Sequence, residues 1–176
     1  MGTRNLTMVI KDGQPRIAQY GQWDGYPEGQ GLTALAFLQN ADLEHFKSQL
    51  DKCRLHSNYK DLPENNLDNR DYCAEILQLV NDSDQAEIHL YNESSFAKDS
   101  LFCEWAYVID LDKNVLEVYE GFNKSPLTEA ERFFYLQEKN GDDDYYPVRH
   151  VISFPLNELP SKEDFVNKIK YPPVEF

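Results

Sequence analysis

The dipeptide Asp12-Gly13 lies between two segments whose residues favour β-strands, Leu6–Lys11 and Arg16–Gln22. A two-residue type I′ turn needs positive φ angles at both central positions, and aspartate and glycine tolerate such angles. The chain is therefore expected to open with a β-hairpin. The numbers of paired residues in this hairpin should add up to about 25, which places Arg4 opposite Gly21.

A second hairpin is predicted in the other half of the chain. Phe102–Leu111 is rich in aromatic and β-branched residues, residues 112–114 form a turn, and Val115–Tyr119 returns as the partner strand. Ala86–Tyr91 and Val148–Phe154 are predicted as further strands. Strands and helices do not alternate regularly, which disfavours a doubly wound parallel fold.

Helices are expected where apolar residues recur at helical spacing. They are Leu32–Gln39, a helix capped by Asn40, a helix over Arg70–Val80, a helix from the capping box of Thr128 and Glu131 to Gln137, and a short helix starting at Ser161. The predicted fold class is α+β: a mostly antiparallel sheet built from two β-hairpins plus one or two further strands, with about five helices packed on it. Residues 1–176 are interpreted as a single domain.

The charge of the chain limits its partners. Acidic residues outnumber basic ones by 31 to 17, which gives a net charge of −14. Nucleic-acid and membrane partners are not expected, because phosphates and anionic lipids are bound by Lys and Arg. A basic protein surface and a small polar ligand stay open as partners. Cys53, Cys73 and Cys103 fit neither a disulfide framework nor a zinc site, and without a visible signal peptide they favour a cytoplasmic location.

The glycine-punctuated residues 21–31 follow the first hairpin and are expected to lack regular structure. Together with the end of the hairpin they concentrate aromatic rings, amides and carboxylates, the groups that hold a small polar ligand in a pocket. A loop presented by a rigid hairpin is a common way to build a site. The predicted site has Asp24 and Glu28 as catalytic candidates and Arg4, Gln19, Tyr20, Gln22, Trp23 and Tyr26 as ligand-binding residues.

A structural interpretation of the same residues stays open. Trp23 and Tyr26 would close the edge of the core, Asp24-Gly25 would make a turn, and Arg4 would tie the loop to the sheet. The predicted hairpin register brings the guanidinium of Arg4 within reach of the loop carboxylates in either case. The stretch is not a phosphate loop, because it has neither G-x-G-x-x-G nor a following Gly-Lys-Ser/Thr.

Other polar residues predict neither a cofactor nor a metal site. The histidines are scattered, without the spacing of a zinc site. Asp110-x-Asp112-x-Asn114 begins like a calcium loop but lacks its glycine and its final glutamate, so a hairpin turn is expected instead. Asn140–Asp144 is expected to be a solvated Gly/Asp loop. A pair of Cys103 with His89 or His150 stays open as an alternative nucleophile.

Three stretches resemble a known group of proteins when they are taken together. They are Met1-Gly-Thr-Arg-Asn-Leu-Thr7, Gln19-Tyr-Gly-Gln-Trp-Asp-Gly-Tyr-Pro-Glu-Gly-Gln-Gly31, and Trp105–Asp112 continuing through Leu116–Tyr119. Over most of its length the chain resembles an uncharacterised family of small bacterial, phage and fungal proteins. The family has no known activity, so the resemblance implies only which segments are expected to carry a site.

Two functions are expected, and the sequence does not decide whether the protein is an enzyme. The first is a small polar ligand-binding or hydrolase-like domain, with a pocket formed by Arg4 and the Gln19–Glu28 loop. The second is an acidic non-enzymatic interaction protein, such as a phage-borne inhibitor, that binds a basic protein surface. A deep cleft lined by Arg4, Gln22, Asp24 and Tyr26 would favour the first, and a flat face covered with carboxylates would favour the second.

Overall fold

A computed structural model describes residues 2–138 and 145–173. Its strands are β1 (Asn5–Lys11), β2 (Gln14–Gly21), β3 (Cys53–His56), β4 (Ile88–Tyr91), β5 (Trp105–Asp110), β6 (Val115–Glu120) and β7 (Arg149–Pro155). Its α-helices are α1 (Leu32–Asn40), α2 (Leu43–Leu50), α3 (Ile76–Asp82) and α4 (Lys162–Lys170). No helix within the described residues is both long and apolar enough to cross a membrane.

The main sheet has five strands in the order β2-β1-β5-β6-β7. Both predicted hairpins are present as antiparallel pairs, and β7 adds to the second hairpin in antiparallel orientation. The two hairpins meet through β1 and β5, which run parallel. The predicted α+β class with a mostly antiparallel sheet is confirmed. β4 lies outside this sheet and pairs with β3 in a separate parallel ribbon, where the sequence predicted no partner strand.

The helices differ from the prediction in number and in their starting points. The described residues contain four α-helices instead of about five, because Arg132–Leu136 is a short 3₁₀ helix. Its first residues are fixed by the sheet: Phe133 is fully buried and Arg132 binds two carboxylates of the strands. Asp42, not Asn40, caps α2 by accepting two backbone N–H groups.

Two further segments depart from the expected local structure. α3 begins at Ile76 after a 3₁₀ turn over Cys73–Glu75, so the helix predicted from Arg70 starts later. Pro27–Gly31 forms one π-helical turn that runs directly into α1, where no regular structure was expected. The predicted Gly/Asp loop over 140–144 lies outside the described residues.

The two faces of the main sheet bury different sets of apolar residues. Side chains alternate along a strand, so Val9, Ile17 and Tyr107 lie on one face and Leu6 and Met8 on the other. The first face packs against all four α-helices, and we call it the helical face. The opposite face is covered by 3₁₀ segments, which contribute buried or partly buried apolar side chains to a second core.

The first hairpin turns where the sequence predicted it. Asp12 and Gly13 have φ angles of 56° and 73°, as a type I′ turn requires. The register differs by one residue, because Val9 pairs with Ile17 whereas Ile10 pairs with Pro15. This β-bulge falls next to a proline, which has no N–H to donate to the ladder. As a result Asn5, not Arg4, lies opposite Gly21.

Gly13→Val is expected to lower the free energy of unfolding by about 1 kcal/mol or more, because a β-branched residue is strained at positive φ. Crowding is not the reason, since a Cβ at Gly13 would meet nothing within 4 Å. Gly13→Asn is the matched control, because asparagine tolerates left-handed φ angles. Urea unfolding of both variants measures the effect, and equal losses would contradict this explanation.

Candidate functional site

The loop between β2 and α1 is fixed by hydrogen bonds to neighbouring strands. The N–H of Gly25 donates to the carbonyl of Thr3 at 2.9 Å, and the buried hydroxyl of Tyr107 donates to the carbonyl of Gly25 at 2.7 Å. The side-chain amide of Asn5 donates to the carbonyl of Trp23 at 3.2 Å. A Cβ at Gly25 would lie 2.6 Å from the carbonyl oxygen of Thr3, so this close approach requires glycine. The loop is therefore preorganised.

The polar side chains at the start of the loop bind the chain around Arg70. The side-chain oxygen of Gln22 accepts from the hydroxyl of Tyr20 at 2.6 Å and from the guanidinium of Arg70. The amide of Gln19 donates to the carbonyl of Asn69 at 3.1 Å. Gln19 is 3% and Gln22 9% exposed. Gln19 and Gln22 therefore join the loop to the chain at residues 69–70, and Tyr20 supports this contact through Gln22.

Trp23, Asp24 and Tyr26 form the exposed part of the loop. The indole N–H of Trp23 donates to Asp71 at 2.8 Å, and the hydroxyl of Tyr26 donates to Asp24 at 3.1 Å. The latter bond raises the pKa of Tyr26. Nearly half of each aromatic side chain stays in solvent, 48% for Trp23 and 41% for Tyr26. These aromatic surfaces can pack against a partner, because the polar atoms are already bonded.

Glu28, the second catalytic candidate, is engaged with α4. Its carboxylate lies 2.7 Å from the ammonium of Lys170, and this hydrogen bond lowers the pKa of Glu28. A general acid or base works best with a pKa near the operating pH. The ion pair moves the pKa of Glu28 away from that range. The carboxylate of Glu28 therefore joins the loop to α4.

Arg4 lies apart from the loop carboxylates. Its guanidinium carbon is 5.3 Å from the centre of the Phe102 ring, a cation–π contact. By alternation with Asn5, Arg4 continues the face of Leu6, whereas the loop is held by Tyr107 on the helical face. The structure thus differs from the expected contact between Arg4 and Asp24, because the loop crosses to the side opposite Arg4.

A buried charge cluster on the opposite face was missed by the sequence analysis. The guanidinium of Arg132 donates to Glu117 at 2.7 Å and also to Asp110. The side chains of these two acids are only 10% and 3% exposed, and the hydroxyl of Tyr119 donates to Glu117 at 3.2 Å. The acidic residues Asp110 and Glu117 within otherwise apolar strands could have indicated such a cluster. The sequence pattern does not show that Arg132 is their partner.

The calcium-like motif forms a turn, as predicted. Asp110 accepts the backbone N–H groups of residues 112 and 113, each at 3.0 Å. The carboxylate of Asp112 accepts the N–H groups of Asp12 and Gly13 at 2.9 and 2.8 Å, so one hairpin turn binds the other. In the part of the chain that the structure describes, no three His, Cys, Asp or Glu residues are grouped to hold a metal ion.

The cysteines are buried thiols. Cys53, Cys73 and Cys103 are all unpaired, and burial raises the pKa of each. The thiol of Cys103 donates to the carbonyl oxygen of Trp105 at 3.5 Å, so its hydrogen-bond partner is this carbonyl and not His89 or His150. Thiols held in this way are poor nucleophiles, because the thiolate is the reactive form.

Residues 61–93 carry a concentration of negative charge. They contain nine carboxylates and a single basic residue of the Lys or Arg type, Arg70. Among the described residues, none of these nine carboxylates forms an ion pair with a lysine or arginine. The imidazole of His89 lies 3.4 Å from the carboxylate of Glu87, and in the described part of the chain it is the one ionisable basic group paired with any of the nine. The segment therefore carries largely uncompensated negative charge.

Two of these carboxylates lie beside a pair of stacked tyrosines. The rings of Tyr59 and Tyr91 are parallel to within 10°, with centres 3.8 Å apart. The hydroxyl of Tyr59 donates to Glu93 at 3.1 Å. Burial raises the pKa of Glu93 and also that of Asp68. Among the described residues, no lysine or arginine forms an ion pair with either acid to stabilise its charged form.

Three clefts lie away from the predicted loop site. One of about 980 Å³ runs between β7 and α4, one of about 560 Å³ lies between β6, β7 and Arg132, and one of about 360 Å³ lies between α1 and α3. None of these three is lined by Arg4 or by Gln19–Glu28. The loop presents a surface instead of lining one of these cavities.

Comparison of the chain with protein-family models, with curated proteins and with solved structures finds no match. The resemblance to a family of small bacterial, phage and fungal proteins therefore stays a prediction.

Proposed function

We propose that the protein is an acidic interaction domain whose residues 61–93 bind a basic surface of another protein. The observation that carries the proposal is the set of nine carboxylates in this segment without a lysine or arginine partner among the described residues. Complementary charge on a partner would speed association and fix its orientation.

The environment of Asp68 and Glu93 supports this function. A carboxylate whose pKa is raised by burial is stabilised when a cation comes close, because the cation favours its ionised form. The stacked rings of Tyr59 and Tyr91 add an aromatic surface on which an arginine side chain can pack. The two acids and the two rings are therefore the centre of the proposed surface.

The exposed end of the Gln19–Glu28 loop extends this surface. Trp23 donates a hydrogen bond to Asp71, one of the nine carboxylates of residues 61–93, and Tyr26 donates one to Asp24. Tryptophan and tyrosine are enriched in protein interfaces because a large rigid ring loses little entropy on binding. The proposal also includes a cytoplasmic location, where the three buried thiols stay reduced.

Binding of a fluorescent, arginine-rich peptide tests the proposal by anisotropy at low and at physiological salt. Asp68→Asn combined with Glu93→Gln is expected to weaken binding about two- to fivefold for each charge removed. The matched control is Glu129→Gln combined with Glu163→Gln, which removes the same charge from exposed positions outside the segment. Equal weakening by both pairs, or no binding at low salt, would contradict the proposal.

A small polar ligand bound at the loop is the second candidate function. It is favoured by the exposed aromatic surfaces of Trp23 and Tyr26 on either side of Asp24, on a loop that is already ordered by Asn5 and Tyr107. A thermal-shift screen against polar metabolites tests it. A ligand whose stabilisation is lost in Asp24→Asn, and kept in the acidic-segment double variant, would favour this candidate over the first.

A further inference from the structure

β7 contains a bulge that brings two reactive side chains to the same face of the sheet. Val118 pairs with Ile152, whereas the next residue, Tyr119, pairs with His150, so β7 has one extra residue at this point. In a regular strand, residues 150 and 153 would point to opposite faces. Bulges that re-aim a side chain are frequent next to active sites.

The bulge places His150 and Ser153 in hydrogen-bonding contact. The Nε2 atom of His150 lies 2.7 Å from the hydroxyl oxygen of Ser153. The ring of Tyr119 packs edge-on against the imidazole, with centres 5.5 Å apart, and so limits its rotation. A hydroxyl within hydrogen-bond distance of an imidazole is the arrangement that activates a serine nucleophile.

Both side chains line an accessible cleft of about 560 Å³. Two cations, Lys113 and Arg132, line the same cleft, and Arg132 is held in place by the buried Glu117. Lys113 has no carboxylate partner among the described residues, and such a cation can stabilise the negative oxygen that develops when a carbonyl is attacked. Because Asp110, Glu117 and Glu131 offset the charges of Arg132 and Lys113, the cleft suits an uncharged acyl group.

We propose that Ser153 and His150 form a nucleophile–base pair that hydrolyses esters of small carboxylic acids. Ser153 Oγ forms a bond to the carbonyl carbon while His150 Nε2 takes the hydroxyl proton. The bond to the alcohol then breaks, and His150 returns the proton to the leaving oxygen. Water then gives a proton to the same imidazole and attacks the acyl carbon. The bond from that carbon to Ser153 Oγ breaks, His150 returns the proton to the serine oxygen, and the acid is released. This activity belongs to a site separate from the acidic surface and does not depend on it.

Labelling with a fluorophosphonate probe tests the proposal. Ser153 Oγ bonds to phosphorus, fluoride leaves, and the proton passes to His150, so a stable adduct marks an activated serine. Peptide mass spectrometry is expected to find the adduct on Ser153. His150→Gln should slow labelling by about 100-fold or more, the usual contribution of a general base. Ser95, an exposed serine, is the internal control within each sample.

Turnover of p-nitrophenyl acetate gives the second measurement, with Ser153→Ala as the variant that should abolish it. Both side chains are exposed, so thermal melting of each variant should match the unmodified protein and exclude misfolding. Three results would overturn the proposal: no adduct on Ser153, equal labelling of Ser153 and Ser95, or a labelling rate that His150→Gln leaves unchanged.

Discussion

Replacing Arg132 with methionine is expected to lower the free energy of unfolding by about 3–5 kcal/mol. Its guanidinium is the cation bonded to Asp110 and Glu117, whose side chains are 3% and 10% exposed. Methionine keeps much of the apolar stem but leaves two buried carboxylates without that partner. Removing one side of a buried ion pair costs far more than the pair itself contributes, because the remaining charge cannot regain water. Urea unfolding measures the loss.

Arg149→Met is the matched control for this prediction. Arg149 in β7 forms an ion pair with Glu120, which lies on the same strand as Glu117, but the side chains of that pair are 54% and 30% exposed. Solvent screens such a pair, so its loss should cost less than about 1 kcal/mol. Similar losses for Arg132→Met and Arg149→Met would mean that the Arg132 cluster is hydrated in solution and does not anchor the 3₁₀ segment.

Local chemistry was enough to predict the hairpins. At Asp12-Gly13 the required positive φ angles select the residue types, so the turn can be read directly from the sequence. The bulge at Val9 and Ile10 could not be read in this way, although it shifts the pairing by one residue. A proline tolerates several positions near a strand end, so its presence does not fix the register.

Long-range pairing was beyond the sequence signal. The parallel contact of β1 with β5 joins segments about a hundred residues apart, and neither strand has a pattern that selects the other. β3 has only four residues, Cys-Arg-Leu-His, and becomes a strand by pairing with β4. Tertiary context decides the structure of such short segments, because their intrinsic preferences are weak.

For the candidate site residues, too, local chemistry could be predicted from the sequence and long-range contacts could not. The sequence correctly identified a loop rich in polar and aromatic groups, but not which of them would be used internally. Gln19 and Gln22 are buried because their partners lie near residues 69–70, a contact between distant parts of the chain. His150 and Ser153 went unnoticed as a pair, because only a bulge allows residues three apart in a strand to meet.

Phe165→Ala is expected to lower the free energy of unfolding by about 3–5 kcal/mol, the usual cost of removing a fully buried phenylalanine. Phe165 is 0% exposed, and its ring lies 5.1 Å from that of Phe154 in β7. The same ring lies 3.1 Å from the position of a Cβ on Gly31, at the end of the loop. The substitution therefore removes both the anchor of α4 and a support of the loop.

Hydrogen exchange connects this loss to the proposed binding surface. The N–H of Gln30 donates to the backbone carbonyl of Asp24 at 2.8 Å, and exchange of this amide should become faster in Phe165→Ala. Tyr171→Ala is the matched control: it removes an aromatic ring that is 79% exposed just after the same helix, and its effect should stay within about 0.5 kcal/mol. Phe165→Ala could instead destabilise the whole protein without speeding local exchange of the Gln30 amide. In that case the hydrogen bonds from Tyr107 and Asn5 in the sheet are enough to order the loop. The exposed aromatic surfaces of Trp23 and Tyr26 would then be ordered independently of α4, and changes in that helix should leave partner binding intact.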